Sequence, residues 1–337
     1  MARKDYSAFT AREFVRESKK GNIELRGFYS DLVEELKTLK RKYELLSSVE
    51  NIPEVFAREG KLANLPVSAK DCICVKGVQS AAGSRILEGY RPPFDATCVE
   101  HVKVHGGIVI GKTNQDEFGF GTFSVNSGFG IPKNPMDPER CCGGSSGGAA
   151  GLTAVLDMPH VALAESTGGS ISCPASFCGV AGLTPTYGLV SRYGLIDYAN
   201  SLDKIGTMGK TVEDAAFLLS YIAAHDPKDS TSLPVKHRDY TAVLDAGVKG
   251  MKLGIPKEYF GEGVDRRVSE QIMETIEGLK DMGANVEEVS LPNTGYALPA
   301  YYLIACSEAS TNLAKFCGMR YGARNPWKGI TIPIFQR

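Results

Sequence analysis

Histidine is scarce in this chain, and it is missing where a serine site would most need it. Five occur in 337 residues, and none lies inside the two glycine-serine clusters, CCGGSSGGAAG at 141–151 and ALAESTGGSISCPASFCG at 162–179. Phosphate signatures are missing as well. No lysine follows either cluster in the order GxxxxGK[ST], and neither contains GxGxxG, so the usual nucleotide cradles are excluded. The net charge of −1 leaves no basic footprint for nucleic acid or an anionic membrane. Apolar stretches are broken by charge or glycine within about a dozen residues, too short to span a bilayer. The opening MARKDYSAFTAREF has no apolar core of a secretory signal, and a cytoplasmic protein is expected. Cysteine is present, nine in all, but the count is odd and no CxxC pair occurs. Reduced, mostly buried thiols and no bound metal are expected.

What is present is an ordinary globular composition, 43% hydrophobic and 23% charged, long enough for a large core. Residues 1–58 space their apolar side chains three and four apart among many charges, which predicts a helical segment packed on a larger body. From residue 59 the texture alternates. LPVSAKDCICV reads as a strand pair or hairpin, GGIVIGKTN and HVALAEST as buried strands, and MKLGIP as the start of a strand–helix–strand unit. The helix of that unit begins after Asp265, presents Val268, Ile272, Ile276 and Leu279 on one face, and ends at Gly283 before NVEEVSL. The pattern predicts an α/β fold with a mixed sheet covered by helices on both faces.

The glycine-serine clusters admit three readings: a hinge, a phosphate cradle, or a serine site run by a base other than histidine. The runs continue directly into a helix former, GGAAGLTAVL, and out of a buried strand, VALAES, which favours backbone set around a site over a mere linker. A lysine can serve as base if burial brings its pKa from about 10.4 to near 7, a cost of roughly 4 kcal/mol that needs a desolvated setting. Lys70, inside the apolar run LPVSAKDCICV, meets that condition. The plainer alternative is an edge lysine facing solvent or pairing with Asp71.

VSAKD at 67–71, GGSSGGAA at 143–150 and STGGSISCPASFCGVAGLTPTYGLVSRYGL at 166–195 together resemble the amidase signature family. The resemblance implies a central mixed β-sheet with helices on both sides. It also implies a lysine, a serine preceded by a cis peptide and a nucleophilic serine in chain order, which match Lys70, Ser146 and Ser170. By the same resemblance the backbone of Thr167, Gly168 and Gly169 forms the oxyanion hole, and Tyr301 borders the substrate. GKTNQDEFGFGTFSVNSGFG at 111–130, SLDKIG at 201–206, DSTS at 229–232 and the segment 290–322 are most similar to the glutamine-hydrolysing branch of that family. Members of that branch act with B and C partner subunits, which use ATP and magnesium and hold misacylated tRNA; the glutaminase chain itself binds no cofactor. Alternatives are a stand-alone amidase and an inactive scaffold.

Two departures from the family pattern stand out. The aspartate and arginine that commonly flank the nucleophile turn are Ser166 and Ser172 here, and the pair is expected to brace the turn by neutral hydrogen bonds. The resemblance runs over 59–322. The arginine and aspartate that grip glutamine's α-groups belong to a further part of the family domain, and 323–337 is an unmatched tail.

Overall fold

Thr10 starts the first helix of the computed structural model, which describes residues 6–51, 53–316 and 321. Its hydroxyl accepts from Glu13 N–H while Glu13 accepts from Thr10 N–H, a reciprocal cap for α1 (Ala11–Lys19). Helix α2 (Leu25–Tyr43) buries Phe28, Tyr29, Leu32, Leu36 and Leu39 along one stripe. The tail of the segment read as helical is a strand instead. β1 (Leu46–Val49) pairs antiparallel with a strand of the main sheet. Four residues without alternation give no period to read, so only the pairing partner makes LSSV a strand.

The sheet is built from β1, β2 (Pro66–Lys70), β3 (Ile108–Thr113), β4 (Val161–Ser166), β5 (Ala181–Leu183) and β6 (Lys204–Gly209), in the order β1-β3-β2-β4-β6-β5. β2 lies parallel to both β3 and β4, whereas β6 runs antiparallel to β4 and β5. Every residue of β2 and β4 is buried, so both faces of the sheet centre are covered. The covering helices include α3 (Thr97–Val104), α4 (Gly147–Val155) and α6 (Val212–Ile222), with the short α5 (Ser172–Cys178) between β4 and β5. No hairpin forms in LPVSAKDCICV: Ile73 makes an isolated bridge to Leu195 beyond the end of β2.

Contacts divide the chain into one unit of residues 1–241 with 307–337 and a second of 242–306, and not at 58. The second unit holds β7 (Lys252–Pro256), α7 (Arg266–Asp281), β8 (Asn285–Val289) and the first part of α8 (Thr294–Leu313). β7 and β8 are parallel, and Asp265 caps α7 through the Arg267 N–H, as the sequence predicts. The apolar stripe of α7 is there but is not covered, with Val268 57% and Ile272 47% exposed. Two strands and one helix enclose too little volume to bury it. Residues 323–337 lie outside the described residues.

The described cysteines are all free, and Cys72, Cys74, Cys98, Cys142 and Cys178 are buried; Cys317 is outside the described set. Among the described residues no helix is long and apolar enough to cross a membrane, and no cluster of three or more His, Cys, Asp or Glu is placed to hold a metal.

His160, just before β4, is buried with Nε2 2.8 Å from Ser68 Oγ on β2. Burial first, and Lys210 second, hold its pKa down at about 3 against an ordinary 6.5. Between those values the unfolded chain binds a proton that the folded chain refuses, so stability falls as pH drops through this window. By pH 4.5 the loss from this group is roughly 2–3 kcal/mol. Denaturant titrations at pH 7 and 4.5 should show His160→Gln losing less than the parent chain by that amount. Equal losses would rule out His160 as the source.

Candidate active site

Parallel strands β2 and β4 end side by side, and their carboxyl ends carry the site. Neighbouring strands run in register from Val67 opposite Val161 to Ala69 opposite Leu163, which brings Lys70 and Glu165 together where the strands stop. Lys70 is fully buried. Its Nζ donates to Ser145 Oγ at 2.7 Å, to the Glu165 carbonyl at 3.0 Å and to Glu165 Oε2 at 2.8 Å.

The loop that delivers Ser145 is packed against residues 114–126. Asp116 N–H donates to the Ser145 carbonyl at 3.2 Å, and the Asp116 carboxylate accepts from Ser124 and Asn126 N–H. Ser124 Oγ accepts from Gly147 N–H and donates to the Gly143 carbonyl. Glycine is required here by space. A Cβ on Gly144 would sit 2.3 Å from Asp116 Oδ2, and one on Gly148 would sit 2.4 Å from the Leu45 and Asn114 carbonyls. The sequence 111–130 is thus the wall against which the serine loop is set.

The expected cis bond is present but one residue earlier than expected: it joins Gly144 to Ser145, not Ser145 to Ser146. The hydroxyl on Lys70 is likewise that of Ser145. Ser146 instead donates to the Glu165 carbonyl at 3.0 Å. Two adjacent serines in GGSSGG cannot be told apart by composition, and the turn alone decides which one faces the lysine.

Ser170 follows the turn 167–169 and is 8% exposed. Gly168 is exposed and Gly169 half-buried, with open space on the side where a Gly169 Cβ would project. Thr167 is buried, and its Oγ1 lies 2.9 Å from Glu165 Oε1 and 2.8 Å from Asp203 Oδ1. Asp203 accepts from Tyr198 and Ala199 N–H. Burial and then the nearby Glu165 raise its pKa from 3.8 to about 7. Tyr301 belongs to the 242–306 unit, half-buried, with its ring 5.3 Å from that of Tyr302.

The predicted bracing by Ser166 and Ser172 does not occur. Ser166 Oγ is buried with no partner, and Ser172 Oγ donates to the Gly169 carbonyl at 3.3 Å. Glu165, Thr167 and Asp203 tie the turn to β6 in their place. Glu165 and Asp203 were not among the residues the sequence singled out. The signal available was a carboxylate inside the otherwise apolar strand VALAES, because a charge there must find a partner.

Comparison with known proteins converges on one family. The Amidase family model matches residues 41–332, wider at both ends than the sequence resemblance and taking in β1. The chain is 50% identical over 295 residues to the glutaminase-type A subunit of the glutamyl-tRNA(Gln) amidotransferase of Carboxydothermus hydrogenoformans, covering 87% of this chain and 61% of that protein. It is 44% identical to the corresponding protein of Gloeobacter violaceus, over 100% of this chain and 68% of that protein. A crystal structure of the Thermotoga maritima counterpart superposes with a TM-score of 0.85 at 40% identity, covering 93% of this chain and 68% of that one. The chain therefore spans about two thirds or less of the length of these relatives, and its own buried lysine bonded to a serine of GGSSGG sits within the matched segment: it belongs to the amidase family.

Proposed function

We propose that this chain cleaves a carboxamide through Ser170, and that its substrate is glutamine. The observation that carries the reading is Lys70 at 2.7 Å from Ser145 Oγ, both fully buried beside the Ser170 turn. Ser170 attacks the amide carbon, and its proton passes to Ser145 and on to Lys70. A hydroxyl suits the middle position because it accepts one proton while giving up another. The same path returns a proton to the departing ammonia, and water then releases glutamate from the acyl-enzyme. Backbone N–H groups of Thr167, Gly168 and Gly169 stabilise the tetrahedral oxyanion, where each donor is worth about 3–4 kcal/mol. Tyr301 borders the substrate in this reading.

The likeness to amidotransferase A subunits supports a place as the ammonia-supplying chain of a cytoplasmic complex. B and C subunits would hold ATP, magnesium and misacylated tRNA. The test is ammonia release from glutamine by the chain alone and co-purified with such subunits. Release that rises on addition of partners, ATP and misacylated tRNA is the expected result. Cleavage of small amides with no response to partners would make it a stand-alone amidase. No release in either form would leave the scaffold reading.

A further inference from the structure

Lys70 has three protons as an ammonium, and three acceptors surround it: Ser145 Oγ, the Glu165 carbonyl and Glu165 Oε2. In that state the nitrogen has no lone pair and cannot take a proton from Ser145. One proton must leave first. A hydroxyl and a peptide carbonyl are very weak bases, so the only competent recipient on the nitrogen is the Glu165 carboxylate, 2.8 Å away. The side chains are 0% and 4% exposed. In so dry a place the charged pair loses the hydration that favours it in water, and the neutral pair of amine and carboxylic acid becomes accessible.

We infer that Glu165 acts through Lys70 as its proton store: the proton moves from Lys70 Nζ to Glu165 Oε2, leaving an amine that takes the Ser145 proton, and it moves back when the amine discharges. The N–H bond breaks as the O–H bond forms, and the pair carries one proton throughout. This rests on the amide-cleavage reading of Ser170 and Ser145. The far oxygen of the same carboxylate continues the chain. Thr167 has one hydroxyl proton but meets both Glu165 Oε1 and Asp203 Oδ1, so both contacts are hydrogen bonds only while one of the two carboxyls is protonated. Other charged or titratable groups facing the pair are Cys72 beyond β2, Asp116 beyond β3 and Lys204 at the start of β6.

A stored proton has a kinetic signature. Because the pair neither gains nor loses a proton when it switches, its active fraction does not depend on bulk pH. Lys70 without Glu165 must lose its proton to solvent, and the rate then falls tenfold per pH unit on the acid side. The test follows Ser170 acylation by a serine-directed phosphonofluoridate, located by mass spectrometry, from pH 5 to 9. The parent chain should give a profile flat apart from a shallow step near 7 where Asp203 titrates, a step that Asp203→Asn removes. Glu165→Gln should acquire the acid limb, and Glu165→Ser supplies the same reading if the glutamine variant does not fold. An acid limb already present in the parent and unmoved in both variants overturns the proton store, as does a uniform loss at every pH. Failure of the parent to label at Ser170 overturns the amide-cleavage reading, and the proton store with it.

Discussion

Ser145→Ala should lower amide cleavage by about 10²–10⁴-fold, the usual weight of a general acid–base step. Ser170→Ala should lower it on the order of 10⁴-fold or more. Ser146→Ala should cost less than about tenfold, since it removes one hydrogen bond worth about 1 kcal/mol. The contrast comes from where the two adjacent hydroxyls point. Ser145 accepts from Lys70, which leaves its own proton free for transfer, whereas Ser146 spends its proton on the Glu165 carbonyl. Nucleophile and relay work as one unit, so Ser145→Ala with Ser170→Ala should be little worse than Ser170→Ala alone. Glutamine-dependent ammonia release in the co-purified assembly, with folding checked by circular dichroism, gives the rates. A Ser146→Ala variant as impaired as Ser145→Ala would return the relay role to Ser146.

The second large effect is on stability. Lys70→Met strands the Glu165 carboxylate, and Glu165→Leu strands the Lys70 ammonium, in a site where both side chains are nearly inaccessible. Breaking a buried pair from one side costs about 3–5 kcal/mol, whereas replacing both members by apolar groups of similar size is often neutral. The double variant Lys70→Met with Glu165→Leu should therefore regain most of the loss, with a favourable coupling in the cycle. The Lys70→Met deficit should also shrink as pH falls. An unpaired buried carboxyl prefers its neutral form, so its folded pKa is raised and the penalty vanishes once the group is protonated in both states. Denaturant unfolding of the four chains at pH 7 and pH 5 measures both effects. Strictly additive losses would mean that the two groups do not form the pair.

Much of this architecture is written in local pattern. The apolar runs of β3 and β4, the stripe on α2 and the Asp265 cap of α7 are each fixed by periodicity or by one side chain, and each was legible. Lys70 was legible as well, because a lysine inside an apolar run must be either desolvated or at an edge. Three things were not. β1 is a strand only because β3 offers it an edge. The choice between Ser145 and Ser146 depends on a loop pressed against residues 114–126, which no local rule encodes. The group that meets Lys70's charge is Glu165, on a neighbouring strand 95 residues further along the chain, and strand register alone brings the two together. By itself the sequence determined which side chains could do the chemistry, because residue type and local burial set their intrinsic acidity and reach. Only the tertiary structure decided which of them face one another, because a proton transfer needs atoms within hydrogen-bond distance, and chain spacing does not supply that distance.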